Sequence, residues 1–203
     1  MKKICLVDYG LGNIKSLYNA IKYLGYNPFL YSEKKYNNYD LIIIPGVGSF
    51  SKASNIIMSS QYSVFIKNHK DKSIIFGICL GMHLLLDSGT EFGSNPGLSF
   101  ISGKADNLKK LKKNILIPLV GFQEINMKKS SLKKLNQFDK EKFYFSHSYY
   151  ANIKNENNIL ATTTAQKTKY CCAVIKGNII GTQFHPEKSG ETGLDFIKEI
   201  INI

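Results

Sequence analysis

The chain has 203 residues, 43% of them hydrophobic, and carries a formal net charge of +12 at pH 7. This length and composition suit one folded domain and exclude a disordered chain, and the apolar runs are too short to span a membrane. All 27 basic residues are lysine, and because nucleic-acid readers favour the bidentate contacts of arginine, the charge indicates a solvated surface rather than nucleic-acid binding.

Strands and helices alternate along the first half of the chain. The apolar pattern predicts, in order, a strand at 4–7, a helix at 14–24, strands at 28–31 and 41–44, a helix at 53–67 and a strand at 73–77. Alternation of this kind is typical of a parallel sheet with helices on both faces. The loops that follow the strands are then expected to meet at the carboxyl edge of that sheet.

The second half of the chain has a different pattern of predicted elements. It contains short β-prone runs at 143–145, 149–151, 159–161, 171–175 and 178–182, and an amphipathic helix at 192–200. The tripeptide Lys176-Gly177-Asn178 is typical of a tight hairpin turn. We therefore predict a single α/β domain with a mostly parallel sheet flanked by helices and an antiparallel β extension in the second half.

The four cysteines are Cys5, Cys79, Cys171 and Cys172. They form no CxxC pair, so neither a disulfide framework nor a zinc site is indicated, and reduced thiols in a reducing compartment are expected. The chain runs into its first strand without a signal-peptide pattern, and we therefore predict a cytoplasmic protein.

The strongest local signal is the segment Gly77-Ile78-Cys79-Leu80-Gly81. Here a buried strand is followed by an apolar run through Leu86 that we interpret as a helix, which is the arrangement of a nucleophile elbow. Flanking glycines permit close backbone approach, and a helix N-terminus favours a thiolate. Taken alone, Cys79 is equally consistent with a small buried hydrophobe that packs between two glycines.

A thiol nucleophile needs a base and a group that orients the base. His185 and Glu187 stand in the run Gln-Phe-His-Pro-Glu directly after the strand at 178–182. This spacing lets the carboxylate hydrogen-bond one imidazole nitrogen while the other nitrogen faces the thiol. The tripeptide alone would suit a surface histidine, but together with Cys79 it predicts a catalytic triad.

A glycine-rich loop, Pro45-Gly46-Val47-Gly48, follows the strand at 41–44. Its glycines allow a backbone N–H to turn toward a developing oxyanion at the same sheet edge. An ordinary turn or a dinucleotide-binding loop are the alternatives. The dinucleotide fingerprint fails, because Ser51 stands where its third glycine belongs, so no cofactor is predicted.

Together these segments resemble the class I, or triad, glutamine amidotransferases, and within them the glutaminase subunits of imidazole glycerol phosphate synthases. The matching segments stand in the family's order, cover nearly the whole chain and are 8–13, 45–48, 77–82, 144–150 and 183–190. The resemblance implies a flavodoxin-like α/β fold, with 1–203 as one glutamine amidotransferase type-1 domain. It implies neither a cofactor nor a metal.

By this resemblance the chain hydrolyses L-glutamine to L-glutamate and ammonia. Cys79 would attack the side-chain amide to form a glutamyl thioester, His185 would transfer the proton, and Glu187 would orient His185. The oxyanion and the glutamine are expected to be held by Gly46, Val47, Gly48, Leu80, His83, Ser148 and Tyr149.

The resemblance also implies a partner, a (β/α)8-barrel cyclase subunit that forms a heterodimer with this chain. Ammonia would be channelled to that subunit for the formation of imidazole glycerol phosphate and an aminoimidazole carboxamide ribotide in histidine biosynthesis. Lys188, Asn13 and Phe122 are the residues expected at the partner interface.

Three features depart from the family pattern. His83 stands where the family usually has a glutamine that contacts the substrate. The segment 118–123 reads Pro-Leu-Val-Gly-Phe-Gln in place of the usual Pro-His-x-Gly-Trp-Asn, and the segment 166–172 lacks the family's Tyr-Gly before its aromatic residue. The last two changes concern the partner side more than the triad.

Three alternatives follow from these observations. The Gly121-Phe122-Gln123 departure favours a glutaminase subunit of a paralogous synthase that aminates another acceptor, such as a surface sugar. A regulatory binding subunit without catalysis is opposed by the presence of all three triad residues. A stand-alone cysteine hydrolase is opposed by the run from Gln183 to Gly190.

Overall fold

The computed structural model describes residues 2–31, 38–129 and 132–203. Its helices are α1 (Ile14–Tyr23), α2 (Phe50–Met58), α3 (Gln61–His69), α4 (Leu80–Leu84) and α5 (Gly190–Ile201). Its strands are β1 (Ile4–Leu6), β2 (Pro28–Leu30), β3 (Leu41–Ile44), β4 (Ile74–Ile78), β5 (Leu86–Gly89), β6 (Asn95–Pro96), β7 (Ile101–Asn107), β8 (Leu119–Met127), β9 (Lys142–His147), β10 (Tyr149–Ile153), β11 (Ile159–Ala165), β12 (Thr168–Lys176) and β13 (Ile179–Thr182). Across these three ranges, none of the helices combines the length and apolar character needed to cross a membrane.

The main sheet joins a parallel and an antiparallel half. Within the described ranges it has nine strands, in the order β2, β1, β3, β4, β13, β12, β11, β8 and β9. The first five strands are parallel, and the last four continue the sheet in antiparallel pairs. The predicted α/β class with its antiparallel extension is therefore confirmed, and β13 is the strand at which the two halves meet.

A second sheet of four strands, in the order β10, β7, β5 and β6, is present in the described part of the chain. The sequence analysis placed the strand at 149–151 in the extension and did not predict β5, β6 or β7. Strand β7 reads Ile-Ser-Gly-Lys-Ala-Asp-Asn, so Ile101 and Ala105 are its only apolar side chains apart from glycine. When small residues fill the buried positions of a strand, the alternation of apolar and polar residues is weak. The local sequence then does not predict the strand.

The helix predicted at 53–67 is wrong as a single element. Two helices, α2 and α3, occupy this region, and they are separated at Ser59 and Ser60. The hydroxyl of Ser60 accepts a hydrogen bond from the Tyr62 N–H and so caps the start of α3. Serine competes for backbone groups in this way, which favours a helix boundary.

The helix predicted to run through Leu86 is also shorter than expected. Helix α4 ends at Leu84, and Leu86 already lies in β5 of the second sheet. Every leucine in this run is buried, and a short, fully buried apolar run does not distinguish a helix from a strand. The boundary is set by the partner strand, because Leu86 pairs with Ile101 on β7.

An aromatic cluster packs α5 against the main sheet. Phe196 lies in the helix predicted at 192–200, and it is fully buried. Its ring centroid lies 5.1 Å from that of Phe138, 5.5 Å from that of Phe143 and 5.3 Å from that of Phe184. Since Phe184 directly precedes His185, this cluster stabilises the segment that carries the predicted base.

Three glycines allow the elbow at 77–81 and the segments around it to approach one another closely. A Cβ atom at Gly81 would lie 1.8 Å from the carbonyl oxygen of Ile44, and one at Gly77 would lie 2.6 Å from the backbone of Gly81. A Cβ at Gly46 would lie 2.5 Å from the hydroxyl of Tyr9. The contacts at Gly81 and Gly77 are to backbone atoms, which cannot move aside, so these two positions leave room only for glycine.

We predict that Gly81→Ala abolishes or severely impairs folding, because its methyl group would overlap a backbone carbonyl that the parallel sheet holds in place. Soluble yield and the thermal unfolding midpoint measure the effect. Gly177→Ala is the matched control, because that glycine has a φ of +58° but open space around it. Its cost should stay near the ~1–2 kcal/mol of left-handed strain. A Gly81→Ala protein as stable as this control would contradict the packing.

Candidate active site

The register of three parallel strands brings the predicted motifs to one edge of the sheet. Ile44 of β3 is opposite Gly77 of β4, and Thr182 of β13 is opposite Ile78 of β4. The loops after these strands therefore begin at the same level. The backbone N–H of Cys79 donates to the carbonyl oxygen of Thr182 over 2.7 Å, which ties the elbow to the segment that leads to the predicted base.

Cys79 occupies a strained position between β4 and α4. Its backbone φ is 53° and ψ is −106°, a conformation that non-glycine residues seldom adopt. It precedes the first residue of α4, whose leading N–H groups have no partner within the helix. Its side chain is 93% shielded yet lies on the wall of a cavity. Cys79 therefore belongs both to the buried core and to the wall of the cavity.

His185 connects the sulfur to a carboxylate. Its Nδ1 lies 2.9 Å from Oε1 of Glu187, and its side chain also interacts with that of Cys79 on the cavity wall. Burial lowers the pKa of His185, but the interactions with Cys79 and Glu187 outweigh burial and raise it. The imidazole is therefore protonated at neutral pH and can serve as a proton donor next to the sulfur.

The cavity at this edge has a volume of about 290 Å³, which is at the small end of the range for ligand pockets. It is lined by Val47, Gly48, Phe50, Cys79, Leu80, His83, Glu91, Pro118, Ser146, His147, Ser148, Tyr149, His185 and Lys188. Most residues predicted to bind glutamine or the oxyanion are thus brought together. Gly46 is not on the cavity wall and instead packs against Tyr9 and Leu80.

Sequence analysis did not select several residues of the cavity wall as site residues. Glu91 supplies the one carboxylate among the described lining residues, and its Oε2 accepts a hydrogen bond from the N–H of Phe50 over 2.6 Å. Ser146 and Pro118 also line the cavity. Glu91 follows a strand of the second sheet, outside every motif, so no local signal marked it.

Two further histidines at the cavity are neutral, in contrast to His185. Burial lowers the pKa of His83 to about 4, and a hydrogen bond with Gln183 opposes this only in part. Burial also lowers the pKa of His147 to about 3, and the charge of His185 lowers it further, while a hydrogen bond to the Tyr149 carbonyl opposes the shift. Only one of the three imidazoles is therefore a cation at neutral pH.

The residues predicted for the partner interface lie outside or at the rim of the cavity. Phe122 is 59% exposed on β8, and its ring centroid is 5.7 Å from that of Tyr144 on the paired strand β9. Lys188 lines the cavity and places its Nζ 5.9 Å from the same Tyr144 ring. Asn13 is separate from these side chains and caps α1 by accepting from the Ser16 N–H.

The other three cysteines differ from Cys79 in their surroundings. All four are reduced, and Cys5, Cys171 and Cys172 are buried in strands of the main sheet. Burial raises the pKa of Cys171 to about 12 and raises that of Cys172 as well, so both stay protonated.

Over the residues that the structure describes, no group of three or more histidine, cysteine, aspartate or glutamate side chains could hold a metal ion.

Comparisons with known proteins agree with this geometry. Residues 5–201 match the family model "Glutamine amidotransferase class-I". A protein named imidazole glycerol phosphate synthase subunit HisH from Caldanaerobacter subterraneus subsp. tengcongensis is 39% identical over 96% of this chain and 95% of its own. A protein of the same name from Chlorobaculum tepidum is 37% identical over 96% and 97%. A crystal structure of a glutamine amidotransferase aligns over 98% of this chain and 99% of that chain with a TM-score of 0.71 at 14% identity, which concerns the fold alone.

We predict that acid weakens the folded state through the two neutral histidines. A histidine whose pKa is lowered on folding contributes stability that is present above the unfolded value of 6.5 and is lost as pH falls toward about 4 for His83 and about 3 for His147. Each should contribute a slope of about 1 kcal/mol per pH unit in this window. Urea unfolding of the wild type and of His83→Gln at several pH values measures it.

The variant should lose part of the slope between pH 6.5 and 5 and show no difference in slope above pH 7. Carboxylates titrate in both proteins, so their contribution cancels in this comparison. Identical slopes in the acid range would show that His83 is not held neutral in the folded state.

Proposed function

The chain belongs to the class I glutamine amidotransferase family, and on that premise we propose that it is the glutaminase subunit of an imidazole glycerol phosphate synthase. It releases ammonia from L-glutamine by hydrolysis of the side-chain amide. The observation that carries the chemistry is the contact series from the Cys79 sulfur to His185 and on to Glu187 at the wall of one cavity. The names of relatives that are at least 37% identical over almost the whole chain support the pathway.

In the first half-reaction the Cys79 thiolate attacks the side-chain amide carbon of glutamine. The carbon–nitrogen bond breaks as His185 gives its proton to the leaving nitrogen, so ammonia departs and a glutamyl thioester remains. Glu187 holds the imidazole in the orientation and the charge state that this transfer needs, through the 2.9 Å contact between Nδ1 and Oε1.

In the second half-reaction water hydrolyses the thioester. His185, now neutral, takes a proton from the attacking water, and the sulfur leaves as the thiolate beside the imidazolium that forms. The products are glutamate and ammonia, and the enzyme returns to its starting charge state. Backbone N–H groups of Val47, Gly48 and Leu80 are the proposed oxyanion donors, because all three residues line the cavity around the sulfur.

The amino-acid end of glutamine is zwitterionic, and the cavity wall offers groups that match it. We assign the α-ammonium group to Glu91, the one carboxylate among the lining residues described. Ser148, which connects β9 to β10, and Tyr149, the first residue of β10, offer donors for the α-carboxylate. This arrangement leaves the side-chain amide to reach Cys79, and it requires a substrate that carries both charges.

The face beside the cavity is the proposed contact with the ammonia-accepting subunit, a (β/α)8-barrel cyclase in a heterodimer. Val120 and Phe122 are each 59% exposed on the same side of β8. The ring of Tyr144 adjoins that of Phe122, and Lys188 adjoins Tyr144. An exposed apolar pair next to a catalytic cavity is typical of an interaction surface. We propose Asn13 as a further contact.

The cytoplasmic location expected from the sequence stays a prediction.

We predict that Cys79→Ala removes glutamine-dependent synthesis by the complex, by about 10³-fold or more, because no other thiol faces the cavity. Synthesis supplied with ammonium salts should persist, since the acceptor site is on the partner. Cys171→Ala is the matched control, a buried thiol outside the cavity, and should keep both activities. Glutamine-dependent synthesis by Cys79→Ala would refute the assignment.

We predict that the isolated chain turns glutamine over slowly and that the barrel subunit with its ligand accelerates it, because unpartnered hydrolysis would waste glutamine. Phe122→Asp should weaken the complex about tenfold or more in Kd, as expected for a buried aromatic anchor. Val64→Asp, on α3 and 58% exposed, is the matched control. Fast turnover by the isolated chain would contradict the proposal.

A pull-down from the native cell separates the two acceptors that the sequence left open. Recovery of a histidine-pathway cyclase supports the proposal and makes the Gly121-Phe122-Gln123 segment a local variation of the interface. Recovery of a sugar-aminating synthase would move the chain to another pathway while Cys79 keeps its role.

A further inference from the structure

Gln183 contacts the reacting sulfur, and the mechanism above does not use it. This residue follows β13 and is completely buried. Its Nε2 lies 3.7 Å from Sγ of Cys79, and its Oε1 lies 2.8 Å from Nε2 of His83. Its backbone N–H donates to the Cys172 carbonyl over 2.8 Å, so the main chain of Gln183 is held by the neighbouring strand.

We propose that Gln183 is a further catalytic residue, which donates an amide N–H to the Cys79 thiolate, and that His83 is the positioning residue that aims this amide. The proposal rests on the glutaminase reaction proposed above and extends it by a second donor to the sulfur. His185 approaches the sulfur as a donor that can transfer its proton, whereas the amide of Gln183 donates without titrating.

The contact with His83 selects one of the two orientations of the amide. With Nε2 toward the sulfur, Gln183 donates to a thiolate, and charge-assisted bonds of this kind are among the stronger hydrogen bonds. With Oε1 toward the sulfur, an acceptor would face an anion at the same distance, without a proton between them. A donor on the far side of the amide therefore favours the productive orientation.

The properties of His83 fit this role. Burial keeps the imidazole neutral, so the ring carries one proton. When that proton is on Nε2, the ring donates to Oε1 of Gln183 and fixes the amide in the orientation that suits the thiolate. The backbone N–H of His83 also donates to the Cys79 carbonyl over 3.2 Å, which places the ring on the same elbow as the sulfur it serves.

The same logic accounts for the departure of this chain from the family's usual glutamine at position 83. A glutamine side chain also carries an N–H that can donate to the Gln183 carbonyl oxygen. Histidine therefore keeps the donor while adding a group with a lowered pKa to the cavity wall. His83→Gln should accordingly preserve the positioning, whereas His83→Leu should remove it.

The rate of alkylation of Cys79 by iodoacetamide as a function of pH tests the proposal, with the modified peptide followed by mass spectrometry. Gln183→Glu keeps the size of the side chain and an acceptor for His83, but it replaces the donor at the sulfur with an acceptor. At pH 7 we expect alkylation to slow by about tenfold, the effect of one lost hydrogen bond to a charged group. The whole profile should move to higher pH.

His83→Leu should shift the pH profile of Cys79 alkylation in the same direction. His83→Gln should have a profile close to that of the wild type. Gln183→Leu is a second variant at the amide position, in case Gln183→Glu does not fold. Thr182→Val is the matched control, because its buried hydroxyl bonds the Phe184 carbonyl and not the sulfur. Thermal unfolding of each variant establishes that the fold is retained.

A wild-type profile in a folded Gln183→Glu or Gln183→Leu protein would overturn the proposal, as would an equal shift in Thr182→Val. The alkylation measurement needs neither glutamine nor the partner. The proposed function is tested separately, by glutamine turnover in the complex. If the complex does not turn glutamine over while the alkylation of Cys79 follows the predicted pH profile, the proposed function fails and the role of Gln183 does not.

Discussion

The contact of Gly81 with the carbonyl of Ile44 is the constraint on which the site depends. No side chain fits between α4 and β3 at this point, so the helix starts directly against the neighbouring strand. The chain must then turn within one residue, and that residue is Cys79, with a φ of 53°. The strain at Cys79 is a consequence of this packing, which holds the residue at the wall of the cavity.

The cavity holds its three histidines in different charge states by varying their partners. His185 is hydrogen-bonded to a carboxylate and interacts with the side chain of Cys79, and it is a cation. His83 and His147 are just as buried, but their partners are uncharged: His83 bonds the amide of Gln183, and His147 bonds a backbone carbonyl and a phenol. Desolvation therefore dominates their pKa values, and both rings stay neutral. One proton is therefore mobile at the sulfur, while the other two rings orient their surroundings.

The antiparallel half of the sheet links catalysis to the surface beside it. Strands β9 and β10 and the residue between them contribute Ser146, His147, Ser148 and Tyr149 to the cavity. Strand β9 pairs with β8, which exposes Phe122. His147 also bonds the hydroxyl of Tyr170 over 3.1 Å, away from the cavity. The wall of the cavity and the proposed partner face are thus adjacent, because Ser146 of the wall pairs with Val120 and Tyr144 pairs with Phe122 on the same two strands.

The sequence by itself determined the α/β class, the parallel half, the elbow around Cys79 and the pairing of His185 with Glu187. Each depends on residues that are close along the chain, where spacing reports geometry. The tertiary structure alone decided that Glu91 and Pro118 reach the cavity, that Phe196 is central to the core, and that Gln183 meets a histidine 100 positions earlier. These contacts join distant segments through packing, and packing of distant segments leaves no periodic or spaced pattern in the residues themselves.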